Sequence, residues 1–216
     1  IENLLNSLLR FQEKISEILI VVGYKKEKLI DMLGHEYKGL KIKYIENELY
    51  DQRNNIYSLA LASEYINDDV LLFESDVYFE HKVIEDLMKK IKPNENIAIV
   101  DRYKNGMDGS VVRIHEGYIS ELVSSQKIKD EDVFKTVNIY YFNKEFFMKV
   151  FIPMLKVYME THNNNHYYEI VLKAIIHLAY FKIRPLIIEG RKWYEIDDQN
   201  DLQRAKFLFK SGPEQL

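Results

Sequence analysis

Four stretches of this chain carry residues whose types and spacing could do chemistry. The first is Glu74-Ser75-Asp76, which ends the apolar run Val70-Leu71-Leu72-Phe73. Such a run reads as a short buried strand, and ligands in an open α/β sheet sit beyond the carboxyl ends of the strands. An acid placed there can hold a divalent cation, and the cation can hold phosphates. Taken alone, Asp76 could equally start a turn or cap the next helix. The second stretch, Trp193-Tyr194-Glu195-Ile196-Asp197-Asp198, sets the only tryptophan ahead of three acids. Here too Asp198 could simply cap the last helix. The third, Arg53-Asn54-Asn55-Ile56-Tyr57-Ser58-Leu59, puts two amides and a hydroxyl where a loop enters a helix. Helix N-termini present free N–H groups and bind anions, and an Asn side chain can match the donor–acceptor edge of a base. Plain N-capping by Asn54 or Asn55 is the alternative. The fourth, Met107-Asp108-Gly109-Ser110, is a turn ahead of a strand, which a type I turn would also explain.

Alternating apolar segments must position these residues. Ile1 to Phe11 reads as a helix with Leu4, Leu5, Leu8, Leu9 and Phe11 on one face, and Glu17 to Val22 as a nearly continuous apolar strand. A helix over Lys25–Leu33 ends at Gly34, a short strand follows at Lys41–Ile45, and a helix presents Ile56, Leu59, Ala62 and Ile66. The Val70 strand is followed by a helix over Lys82–Ile91, closed by Pro93-Asn94. Strands are expected at 96–100, 110–114, 118–123 and 133–142, with Glu116-Gly117 as a hairpin turn. Helices return at 144–159, kinked or split by Pro153, and at 167–178, before a strand at 180–188 and a last helix at 200–209. This alternation predicts a three-layer α/β/α sandwich, Rossmann-like, around a mostly parallel mixed sheet.

Taken in order, the strings VVGY, RNNIYSL, FESDVYF, MDGSVV, FKTVNIYYF, HYYE and WYEIDDQNDLQRA resemble the sugar-phosphate nucleotidyltransferase superfamily. Within it they look most like the phosphocholine and phosphonoalkane cytidylyltransferases. The resemblance runs from Ile18 to about Leu208, and the pairing of FESD with WYEID is its most specific part. It implies attack of a phosphate or phosphonate oxygen on the α-phosphorus of an NTP, CTP in the nearest branch, with release of pyrophosphate. It further implies Mg²⁺ held by Asp76 and Asp197, with Glu195 as an added ligand or a supporting acid. Asn54, Asn55 and Ser58 match the segment that lies against the nucleobase and ribose. Asp108, Tyr140, Tyr168, Glu169 and Trp193 fall near the acceptor, where an amine or trimethylammonium group would need anions and aromatic faces. Lys135 is a point cation suited to the acceptor's phosphate or phosphonate. The alternatives are a hexose-1-phosphate nucleotidyltransferase, a glycosyltransferase using a nucleotide-sugar, and a non-catalytic domain of the same fold.

One part of that pattern is missing. The family opens with a strand and a glycine-rich loop that cradle the triphosphate, and this chain starts at Ile1 where the following helix would be. The unit amounts to roughly 30 residues, so the nucleotidyltransferase domain, residues 1–210, is expected to be truncated at its N-terminus and to have little activity as it stands. Ser211-Gly212-Pro213 in the tail 211–216 reads as the start of a linker, compatible with fusion to a second enzyme domain. The net charge of −4 gives no electrostatic reason to expect nucleic acid as a partner. The absence of cysteine excludes disulfides and thiolate metal sites and fits a reducing cytoplasm. No apolar run approaches the length of a membrane span.

Overall fold

A computed structural model describes residues 1–124, 132–162 and 165–210; the expected linker at 211–216 lies outside them. In chain order the elements are α1 (Glu2–Leu8), a 3-10 segment (Leu9–Lys14), β1 (Ile18–Val22), α2 (Lys26–Leu33), β2 (Glu36–Tyr37), β3 (Leu40–Glu46), α3 (Asn55–Ser63), β4 (Val70–Phe73), β5 (Val77–Phe79) and α4 (Lys82–Lys90). There follow β6 (Ile97–Arg102), β7 (Ser110–His115), β8 (Tyr118–Ser124), β9 (Phe134–Phe142), α5 (Lys144–Phe146), α6 (Ile152–Thr161), α7 (Glu169–Leu178), β10 (Arg184–Ile187), β11 (Trp193–Glu195) and α8 (Gln199–Phe209). A π-helical turn, Phe147–Phe151, separates α5 from α6 just ahead of Pro153. Proline has no N–H to donate back and its ring crowds the preceding turn, so the helix changes register there.

Two cores lie on either side of the sheet, which makes the three layers. One gathers Ile56 and Leu59 of α3, Leu155 of α6 and Leu172 and Ile175 of α7 against Ala98, Tyr140 and Phe142. The other gathers Leu5 and Leu8 of α1, Leu33 of α2 and Val83, Ile84 and Leu87 of α4 against Ile97, Ile99, Val137, Ile139 and Tyr141. The helical spacing of Val83, Ile84 and Leu87 puts all three wholly out of solvent, each contributing about 1.5–3 kcal/mol relative to exposure. Alternate residues of β9 enter opposite cores, as a strand buried on both faces requires.

Among the described residues the strands form a six-stranded sheet, β10-β6-β9-β7-β8 with β4 also on β9, and a three-stranded one, β1-β3-β2; both are mixed, as expected, but parallel pairings are fewer than the strand–helix alternation implies. β1 pairs with β3 and β10 with β6 in parallel; the ladders of β2 with β3, β4, β6 and β7 with β9, and β7 with β8, are antiparallel. The cause is β9, which returns through the middle of the sheet against three neighbours. β6 follows one edge of it. On the other edge β7 takes Phe134 and Lys135, and β4 takes Ile139 to Phe142. The changeover falls at Asn138, whose φ of +58° is left-handed, where the register between β6 and β9 shifts.

Among the described residues β1 pairs only with β3, and β4 only with β9. Each therefore keeps one edge without a ladder. Ile18 and Ile20 of β1 and Leu71 and Phe73 of β4 pack against the same core yet stay partly exposed.

Candidate active site

The Val70 strand stops at Phe73, and the next residues turn the chain into a separate two-stranded ribbon. In it β5 pairs antiparallel with β11, with Val77 opposite Glu195 and Phe79 opposite Trp193. Ile196 then donates its N–H to the carbonyl of Asp76 at 3.0 Å. The ribbon is the physical link between the two acidic stretches, which lie more than a hundred positions apart in the chain. Each strand has three residues, too few for an alternation pattern, and neither was expected from the sequence.

The ribbon brings Glu74, Asp76 and Glu195 together, with one carboxylate oxygen of each within 4.8 Å of the others. Asp197 is not in that group. It is exposed one step beyond Ile196, yet near enough for its charge to act on Asp76. Burial and, to a lesser degree, the crowding of like charges set the protonation of this cluster. Glu74 is pushed up to about 7 by burial first and by the Glu169 charge second. Burial also raises Asp76, partly offset by its own backbone hydrogen bond, and raises Glu195 against the opposing pull of Lys135.

Lys135 is 1% exposed, a rare state for an ammonium group. It is paired with Glu195 at 3.2 Å, donates to the Thr136 carbonyl at 3.0 Å, and lies 5.9 Å from the centre of the Trp193 ring. Trp193 is fixed in turn by an indole N–H donated to Asp101 at 2.9 Å. The turn carrying Asp108 passes close by: a Cβ on Gly109, whose φ is +95°, would stand 3.0 Å from the Lys135 Nζ. Asp108 itself is exposed.

Asn138 was not among the expected site residues, although it occupies the centre. Its Nδ2 donates to Glu74 and to Glu195, each at 3.0 Å, and its Oδ1 lies 2.9 Å from the Thr136 hydroxyl. An apolar-looking strand gives no sign that one residue in it is left-handed. The only available hint was a polar residue inside the run Val137 to Phe142.

On the other side of Glu74, Asn55 donates to its carboxylate at 3.2 Å and accepts from the Tyr168 N–H at 2.9 Å, tying α3 to the start of α7. Asn54 caps α3 by accepting from the Asn55 N–H, and Ser58 accepts from Asn47 at 3.1 Å. Asp198 caps α8 through the N–H groups of Asn200 and Asp201. Tyr140, Tyr168 and Glu169 form a buried lining beside Glu74, the two rings meeting edge to face at 6.2 Å. The hydroxyls of Tyr140 and Tyr168, Oε2 of Glu169 and Oδ1 of Asp76 are all buried without a hydrogen-bond partner. Buried polar atoms are normally satisfied, so these four, gathered beside Glu74, single the group out as a candidate ligand site.

The residues present fit a divalent cation. Three carboxylates converge, the buried Oδ1 of Asp76 is unsatisfied, and Glu195 pairs with the ammonium of Lys135. Oxygen ligands of this kind suit Mg²⁺, which is held by one or two carboxylates together with substrate phosphates.

No family model matches the chain, but individual proteins do. It is 30% identical over 206 residues to the CMP-5'-(3-aminopropyl)phosphonate synthase of Streptomyces rubellomurinus, an alignment covering 93% of this chain and 32% of that one. It is 27% identical over 213 residues to the CTP:phosphoglutamine cytidylyltransferase of Campylobacter jejuni, covering 88% and 80%. The solved structure of the CTP:phosphocholine cytidylyltransferase of Streptococcus pneumoniae matches with a TM-score of 0.69 at 18% identity, over 95% of this chain and 84% of that one. The chain thus spans less than a third of the Streptomyces relative's length. Its homologues and structural neighbours are sugar-phosphate nucleotidyltransferases, and its fold is theirs.

Proposed function

We propose that this chain is the nucleotidyltransferase domain of an enzyme that transfers CMP from CTP to a small phosphonate- or phosphate-bearing acceptor with a protonated amine at its far end. The observation that carries this reading is the group Glu74, Asp76 and Glu195 at the end of β4 beside the buried ammonium of Lys135. A phosphonate oxygen of the acceptor forms the new bond to the α-phosphorus, the bond from that phosphorus to the bridging oxygen breaks, and pyrophosphate leaves with the electron pair. The nucleophile is already anionic, so no side chain need remove a proton. The protein's task is to bring two anions together and hold them in line.

Asp76 and Glu195, with Asp197 alongside, would hold Mg²⁺, which supplies charge neutralisation between the two phosphorus centres. Lys135 binds the acceptor's phosphonate, and Trp193, anchored on Asp101, keeps that ammonium from swinging away. Asn54, Asn55 and Ser58 lie against the nucleoside. Glu169, Tyr140 and Tyr168 receive the amine. Their unpartnered oxygens call for N–H donors, which a primary ammonium has and a trimethylammonium lacks. Burial raises Glu74 and Glu169, and a cation beside them, unlike a neutral sugar, offsets that cost and favours their ionised forms.

The edges left open on β1 and β4 support a second part of the reading: a strand bearing a glycine-rich phosphate loop completes the sheet between them. The protein is read as cytoplasmic; among the described residues no helix is long and apolar enough to cross a membrane. A thermal-shift screen of the full protein with CTP and Mg²⁺ tests the acceptor. 2-Aminoethylphosphonate is expected to raise Tm most, phosphocholine less and glucose-1-phosphate least; the reverse order would contradict the amine pocket.

A further inference from the structure

We infer that Asn138 is a positioning residue that sets the two glutamates of the acidic group for cation binding. This rests on the reading of that group as a metal site. Asn138 is 5% exposed and sits where β9 exchanges β7 for β4 along one edge, in a left-handed conformation that non-glycine residues rarely adopt and asparagine tolerates best. Its carbonyl accepts the Glu74 N–H at 3.3 Å, and its two amide hydrogens go one to Glu74 and one to Glu195. The amide cannot be turned over, because its oxygen would then face two carboxylates.

Glu74 comes from the end of β4 and Glu195 from the ribbon, so nothing in the covalent chain holds them at a fixed separation. Once both are ionised, Coulomb repulsion between them acts to open the group. Asn138 opposes it with two hydrogen bonds from one donor atom, while the other oxygen of Glu74 accepts from Asn55 at 3.2 Å and that of Glu195 pairs with Lys135 at 3.2 Å. Groups that hydrogen-bond to ligating carboxylates orient them, and their loss costs about 10–100-fold in metal affinity.

Asn138→Gly is the informative variant: glycine accepts the left-handed backbone at no steric cost and removes the clamp together with the contact to the Thr136 hydroxyl. Mn²⁺ binding to the full protein is followed by electron paramagnetic resonance without nucleotide, alongside circular dichroism and Tm. The expected result is binding weakened about 10–100-fold with secondary structure retained. Unchanged Mn²⁺ affinity in a folded variant would overturn the inference. If Asn138→Gly does not fold, Asn138→Ala, which removes both donors and adds no charge or ligand atom, is measured in the same way and judged by the same two outcomes. Parent protein that binds no Mn²⁺ would overturn the underlying metal reading, a failure distinct from an unaffected variant.

Discussion

At the scale of single residues, Glu74 is the most perturbed of the titrating acids around the cleft. Burial and the Glu169 charge hold its carboxyl at about 7, against an ordinary value of 4.5. The folded protein therefore keeps a proton that the unfolded chain gives up. The stability this contributes is complete below about pH 4.5 and is lost as pH rises through about 7. For an acid this far from its ordinary value the difference is on the order of 3 kcal/mol at pH 8. Glu74→Gln is expected to stabilise the metal-free protein by about 2 kcal/mol at pH 8 and by little at pH 4.5. Urea unfolding in EDTA at the two pH values measures this, and an equal effect at both would contradict the assignment. The same logic makes Mg²⁺ a pH-dependent stabiliser. Its addition should raise Tm more at pH 8, where the acids of the group are ionised and repel, than at pH 5; no pH dependence would argue against binding there.

At the scale of elements, the site depends on a short turn packed against a long buried side chain. The turn at Gly109 passes so near Lys135 that a methyl group would meet its ammonium, and its φ of +95° is unsuited to any side chain. Gly109→Ala is expected to cost about 1–2 kcal/mol of stability and, by displacing Lys135, to raise KM for the acceptor more than KM for CTP. Equal change in both would show that Lys135 does not face the acceptor. The open edges of β1 and β4 yield a further test. If a strand from the full protein seats between them, the amides of Ile18–Val22 and Val70–Phe73 should exchange more slowly with deuterium in the full protein than in residues 1–216 alone.

Long apolar segments were legible from sequence because burial imposes a period: Ile56, Leu59 and Ala62 of α3 and the β9 strand lie where spacing put them, while Ile66, expected on the same helical face, falls after the helix ends at Ser63. The acids Glu74, Asp76 and Glu195 were legible as chemistry because their local patterns stand out. What was not legible is how they meet. The ribbon of β5 and β11 is too short to show alternation, and the left-handed turn of Asn138 within β9 leaves no trace in hydrophobicity. Both are set by tertiary pairing, which no local window contains.

At the scale of the whole molecule, two cores pack around a six-stranded and a three-stranded sheet, and the chain after β4, the strand β9 and the β5–β11 ribbon bring three acids and a buried cation together. The fold is shared with nucleotidyltransferases. The central claim is that this cleft joins a CTP-derived nucleotide to an amine-bearing acceptor. Its most direct test is pyrophosphate release by the full protein given Mg²⁺, CTP and 2-aminoethylphosphonate, with Asp76→Ala in parallel. Release that requires the acceptor and falls at least about 100-fold in the folded variant is the predicted result. Equal release by parent and variant, or none from a folded parent with any acceptor or nucleotide, would contradict it.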